Sequence, residues 1–222
     1  MLKKKEKLKR IEKRIREINL NGEVVLAFDF DELVVLVHLT REVTQKLFPF
    51  PDPEKLAQLG SNSFEGIQYL GSLAQGYGFN QYERIRDKIA KETPWVPGFQ
   101  DTLTELIAKY SLIFLSSGIR DVCQAKTKEL ELDPKNVLGD EYVVKDGQIQ
   151  GFGLIVSDML KGYVVRKLQE RYQVVGIGHS QGDRLMLEQS DVSIAVNPDS
   201  PDLAQYEVDS PKRIIEIVDR LL

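Results

Sequence analysis

Asp29 and Asp31 stand two residues apart in Phe28-Asp29-Phe30-Asp31, where an apolar run gives way to a loop. Two close carboxylates suit two kinds of chemistry. They hold a hard cation such as Mg²⁺ through oxygen. They also divide roles, because like-charge repulsion raises one pKa, leaving one acid a nucleophile and the other a proton carrier. A plainer reading is a strand-end Asp capping the next helix beside a solvated neighbour. Ser116-Ser117-Gly118 reads as a helix opening, whose amide groups and dipole suit an anion and whose hydroxyls add donors. By itself it is equally a plain Ser cap. Lys161 follows Asp158-Met159-Leu160 at a helix start and alone is a surface lysine. Asp183 closes the run from Gly178 and either caps or ligates. An acid pair, a hydroxyl, a lysine and a further acid, in that order, together describe a site for phosphate and a cation.

The elements that must position these groups follow from periodicity. Residues 23–29 are apolar on both faces, as a buried parallel strand requires. Residues 33–48 read as a helix, broken by the proline-rich run at 48–53. Helical segments follow near 54–59, 63–74 and 80–92, interrupted by Gly60, Gly66, Gly71 and Gly76, and no strand pattern appears among them. Pro94 and Pro97 bracket a return to strand–helix alternation. A helix at 101–110 precedes a strand at 111–116, and a helix at 118–130 precedes a hairpin at 138–153 turning on Lys145-Asp146-Gly147. A helix at 160–172, strands at 173–177 and 192–196, and a closing helix at 212–222 complete the chain. This pattern predicts an α/β fold with a Rossmann-like three-layer core and a parallel sheet. A small all-helical cap would be inserted after the first core strand, and a β-hairpin would follow the second strand–helix unit. The expected divisions are a basic helix at 1–20, a core at 21–32 and 96–222, and a cap at 33–95. In an open parallel sheet, ligands collect outside the carboxyl ends of the strands. Asp29, Ser116 and the 178–183 loop all arrive at that edge.

The 222 residues are 42% hydrophobic and 29% charged, with a formal net charge of −4. That balance suits one α/β domain with a modest insertion and argues against nucleic acid as a partner. No run approaches a membrane span, and the charged start lacks the apolar stretch of a secretory signal. The single Cys123 excludes an intramolecular disulfide and fits a reducing cytoplasm. The first 20 residues hold six Lys, three Arg and three Glu. Leu8, Ile11, Ile15 and Ile18 form one apolar helical stripe there, expected to dock on the domain, or failing that to mediate a homodimer.

The ordered motifs resemble those of the haloacid dehalogenase-like superfamily, in its phosphoserine-phosphatase-like branch. The resemblance covers nearly all of 24–198. It rests on Phe28 to Asp31, Phe114 to Gly118, Lys161-Gly162, Gly178 to Asp183 with Leu185-Met186-Leu187, and Ala195 to Pro198. Val96-Pro97-Gly98 resembles that branch's linker from cap to core. The resemblance implies a phosphatase acting on a small phosphorylated metabolite. Asp29 would form an aspartyl-phosphate, and Asp31 would protonate the leaving alcohol and then activate water. Ser116 and Lys161 would hold the phosphoryl oxygens, with Ser117 and Gly118 beside them. Mg²⁺ would sit between Asp29, the carbonyl of Asp31 and an acid such as Asp183.

Departures from the pattern matter. Glu32 and Leu33 replace the small residues usual after the acid pair. His179 stands where the branch has an Asp, and Gly182 where it has an Asn. An imidazole at a metal-ligand position suits a softer ion such as Mn²⁺ or Zn²⁺. A charged His179 would instead replace part of the cation's charge, or mark a degenerate protein that serves as a binding module. His38 stands where phosphoserine-specific enzymes place a Glu that reads the substrate amine. Arg120 would meet a substrate anion or be a solvated helix residue.

Overall fold

The computed structural model describes residues 4–47, 52–59 and 64–222, with side chains from residue 9. The predicted break at 48–51 and the interruption at Gly60 lie outside the described residues. The chain begins with helix α1 (Lys4–Glu17) and strand β1 (Val24–Phe28). Four helices follow: α2 (Leu39–Leu47), α3 (Pro53–Leu59), α4 (Phe64–Leu73) and α5 (Phe79–Glu92). Then come α6 (Phe99–Ile107), β2 (Ser111–Ile119), α7 (Arg120–Thr127), β3 (Val137–Lys145) and β4 (Gln148–Leu154). The remainder is α8 (Asp158–Leu168), β5 (Gln173–Gly178), α9 (Arg184–Gln189), β6 (Val192–Val196), β7 (Tyr206–Val208) and α10 (Lys212–Leu221).

The strands form one sheet in the order β4-β3-β2-β1-β5-β6-β7. Every neighbouring pair is parallel except β3 and β4. β1 lies between β2 and β5, with Val25 opposite Ser111 on one side and Val174 on the other. Successive side chains of a strand point to opposite faces, and both faces here are covered. Leu26 and Phe28 enter a core with Leu103, Val122 and Ile214, while Val25 and Ala27 enter a second with Ile11, Val164 and Met186. Helices thus sandwich a parallel sheet, the α/β class expected from the alternating pattern. The first core continues into the helices after β1 through Val43, Tyr82 and Ile89, so α2 and α5 share the sheet's apolar interior.

The predicted helix at 33–48 begins only at Leu39. Leu33, Val34 and Val35 are buried in a turn, where the Val96 N–H donates to the Val34 carbonyl at 2.9 Å. Stiff β-branched side chains have weak helix preference, and pairing with the 94–96 segment wins. The helix predicted at 118–130 also starts late, at Arg120. β2 runs through Ser116, Ser117 and Gly118 to Ile119, which pairs with Asp140 after a register shift. The hairpin turns at Asp146 and Gly147 with φ of 51° and 74°, the doubly positive pair that a tight two-residue hairpin requires. β7, three residues at the sheet edge, was not visible in the pattern.

The N-terminal helix docks on the sheet. Ile11 is buried, and Ile15 and Ile18 pack partly against the same core. Arg14 Nε donates to Glu141 at 2.9 Å. The apolar stripe, expected to dock on the domain or failing that to mediate a homodimer, packs through Ile11, Ile15 and Ile18 on the chain's own core. Among the described residues, no helix is long and apolar enough to cross a membrane.

Candidate active site

β1, β2 and β5 end side by side, so Asp29, Ser116 and the loop after Gly178 meet at one edge of the sheet. A cavity of about 580 Å³ opens there, lined by Asp29, Asp31, Ser117, Lys161 and His179 among others. The Asp29 N–H donates to the Ile177 carbonyl, which ties its backbone to β5 at 2.9 Å.

Lys161, on the first turn of α8, is 2% exposed. Its Nζ donates to Asp29 Oδ1 at 2.6 Å and to Asp183 Oδ1 at 2.7 Å. Burial works against the ammonium charge, but Asp183 and Asp29 outweigh it and hold Lys161 protonated. In return Asp183, although buried, is held below the usual carboxylate range by Lys161 and His179. Its Oδ2 also accepts from the backbone amides of His179 and Ser180, at 3.0 and 3.2 Å. Asp183 thus closes its own loop as well as balancing the lysine.

His179 projects from this loop towards the same two acids. Its Nδ1 lies 3.3 Å from Asp29 Oδ2 and 3.5 Å from Asp183 Oδ2, yet is buried without an aligned hydrogen bond. Burial lowers the imidazole's pKa, but Asp183 and Asp29 push it up to about 10. One oxygen of each acid and this nitrogen all lie within 4.8 Å of one another. Two oxygens and an unpartnered imidazole nitrogen around one point fit a divalent ion once Nδ1 has lost its proton. The nitrogen donor suits Mn²⁺ or Zn²⁺ better than Mg²⁺.

Asp31 is built differently. Its Oδ1 accepts from the Leu39 N–H at 2.7 Å, which caps α2, and its Oδ2 accepts from the Ser116 hydroxyl. Ser116 Oγ in turn accepts from the Gly118 amide at 2.8 Å. Burial raises the Asp31 pKa, His38 opposes this, and Asp29 adds to it, leaving it above the usual carboxylate value. So the capping reading holds for Asp31, a residue that also lines the cavity with its pKa raised. The Asp31 carboxylate is not among the ion-holding donors. Gly118 is required next to it, because a Cβ there would overlap the carboxylate.

Other expected residues fall in varied places. Ser117 lines the cavity and donates to the Val156 carbonyl at 3.2 Å. Ser116 is fully buried behind Asp31, its hydroxyl committed to that carboxylate. His38 lines the cavity with a buried, unpartnered Nδ1. Glu32 stands at the mouth with φ of 60° and an ion pair to Arg41 at 3.8 Å. Arg120 is not brought in. Its Nε donates to the Val137 carbonyl at 2.8 Å, and it lines a separate pocket beside Glu141. The reason is the late start of α7, which carries Arg120 past the edge of β2. Cys123 is buried with its pKa pushed up by burial, so its thiol stays protonated.

Asp140 is a buried acid that motif and spacing did not single out. It is fully buried on β3, and its Oδ1 accepts from the Val156 N–H at 2.7 Å. Burial pushes its pKa well up. An acid directly after the apolar Val137-Leu138-Gly139 was the available signal.

No model of a known protein family matches the chain. A curated phosphoserine phosphatase from Archaeoglobus fulgidus is 26% identical over 184 residues, which cover 78% of this chain and 52% of that protein. The chain therefore spans about half the length of this relative. A solved HAD family hydrolase from Salmonella enterica serovar Typhi superposes with a TM-score of 0.73 at 17% identity, over 91% of this chain and 74% of that one. A substrate-bound phosphoserine phosphatase superposes with a TM-score of 0.70 at 19% identity, over 92% of this chain and 100% of that one. At such identities the two structures establish the shared fold.

Proposed function

We propose that this chain, haloacid dehalogenase-like in fold and phosphoserine-phosphatase-like in sequence, is a phosphatase that hydrolyses a small phosphorylated metabolite. The carrying observation is the convergence of Asp29, Asp31, Lys161 and His179 on one cavity. Asp29 is the nucleophile: its oxygen bonds to phosphorus as the bond from phosphorus to the leaving alcohol breaks. Asp31, with its raised pKa, gives a proton to that alcohol. It then takes a proton from the water whose oxygen displaces Asp29 from phosphorus. Phosphoryl transfer is mostly positioning and charge neutralisation, and the buried Lys161 supplies a fixed positive charge beside the nucleophile. Ser116 orients Asp31, and Ser117 offers a hydroxyl at the cavity wall.

Asp29, Asp183 and His179 would hold a divalent cation, which when bound supplies charge neutralisation to the phosphoryl oxygens. The helices between residues 39 and 92 are proposed to act as the cap, with the α/β core at 21–32 and 96–222.

A second reading is favoured by one observation. The His179 Nδ1 already lies within ion-pair range of both acids. A protonated imidazole there balances the cluster without a metal, as a binding module descended from an enzyme would allow. Phosphate release from a panel of phosphomonoesters with Mg²⁺, Mn²⁺ and Zn²⁺ decides between the two. Turnover that falls by about 10³-fold or more in Asp29→Asn supports the phosphatase. Full activity in that variant, or no release from any ester with any ion, sinks it. Calorimetry with each metal then reports whether His179 yields its position to the ion.

A further inference from the structure

Part of the cavity lining is apolar. Phe64 and Ile67 of α4 line it, with Ile155 of the loop before α8 and Met159 of α8 itself. Phe64 and Met159 are 39% and 76% exposed, so large apolar groups meet solvent in the same cavity as the acid cluster. The other charges on the lining are acidic: Glu32, Asp158 and Asp199. Among the described residues, the cations on the lining are Lys161 and His179, and both face Asp29 and Asp183. Arg41, close to the mouth, is paired with Glu32. Residues 48–51 and 60–63 contain no Lys or Arg. A second anionic group on a substrate would therefore meet acids, hydrocarbon and the neutral Ser157, Ser180 and Gln181, with no cation beyond those already paired among the described lining residues. A carboxylate placed there without a partner is penalised, whereas an apolar group gains from leaving water. Besides His179, the lining residue with a buried polar atom lacking a hydrogen bond, among the described residues, is His38, whose Nδ1 suits a neutral hydroxyl or carbonyl oxygen.

We propose that the cavity selects phosphomonoesters whose alcohol part is apolar and uncharged, such as aryl or branched alkyl phosphates, over esters carrying a carboxylate. This rests on the hydrolytic reading above for the placement of the phosphoryl group at Asp29. It does not depend on turnover for its test.

The test is calorimetry with two non-hydrolysable phosphonates. One is benzylphosphonate, with an uncharged ring. The other is 2-amino-3-phosphonopropanoate, which carries a carboxylate and an ammonium. The expected result is binding of benzylphosphonate at least about tenfold tighter. Met159→Arg, at an exposed position that folding tolerates, is expected to narrow this preference by about tenfold by giving the carboxylate a partner. Equal or tighter binding of the amino-acid phosphonate, binding of neither, or a preference unchanged by Met159→Arg overturns the inference. Steady-state rates on phenyl phosphate and phosphoserine separate the two readings. Selective phosphonate binding without phosphate release defeats the hydrolysis and supports the selectivity. Faster hydrolysis of phosphoserine does the reverse.

Discussion

The two walls of the cavity are built on opposite principles. On the sheet side, Asp29, Lys161 and Asp183 are all nearly or fully buried, and each is held by partners 2.6 to 2.7 Å away. On the apolar side, Phe64 of α4 and Met159, two residues before Lys161 on α8, lie partly in solvent. Charges buried in a low-dielectric interior tolerate no slack, because a lost partner leaves an unpaired ion. Apolar contacts are non-directional and forgive displacement. On the proposed reading, chemistry belongs to the buried cluster and the choice of substrate to the forgiving apolar lining.

That contrast breaks if Lys161→Met is well tolerated. Removing the ammonium leaves two buried carboxylates facing each other, and unfolding in denaturant is expected to register a loss of about 3–5 kcal/mol. A variant as stable as the parent would mean that the cluster is hydrated and loose. Gly118→Ala comes next. The added methyl displaces the Asp31 carboxylate, and overpacking of this kind costs about 1–3 kcal/mol by thermal melting. Turnover should fall with it, since Asp31 loses its position.

Asp140→Asn sharpens the comparison with a smaller effect that depends on pH. Burial and Asp31 raise the Asp140 pKa, while the Val156 amide and Lys161 oppose them. The folded state therefore keeps the proton over a range in which the unfolded chain has released it. Below about pH 4 both states are protonated and the parent shows no pH dependence from this group. As pH rises above that, the unfolded state is favoured and the parent loses stability, until the raised folded pKa is passed. The asparagine variant keeps the Val156 hydrogen bond and has no such loss. It should gain about 1 kcal/mol or more on the parent between pH 4 and 7, since each tenfold difference in proton affinity between the two states is worth about 1.4 kcal/mol. Parallel stability curves for the two proteins would count against a buried, proton-holding Asp140. The smallest effect belongs to the exposed apolar lining: Met159→Ala should change stability by less than about 0.5 kcal/mol. A large loss there would mean that this lining is as tightly built as the buried cluster.

The residues themselves determined much of this. Apolar strands too short for helices, spaced by amphipathic helices, can bury both faces only in a covered parallel sheet. That sheet brings the ends of β1, β2 and β5 to one edge, so Asp29, Asp31, Ser117, Lys161 and Asp183 could be named from order and spacing, and His179 from the resemblance. Local signals did not settle what depends on contacts distant in sequence. The turn at 31–35 is held by the 94–96 segment, and the extension of β2 past Ser117 is held by β3. The second of these turned Arg120 out of the site. Only tertiary structure could set the Ser116 hydroxyl on Asp31, bury Asp140 beneath Val156, and place the His179 nitrogen between two acids. Periodicity reports which face of an element is buried. It carries no information about which atom another element will place against it.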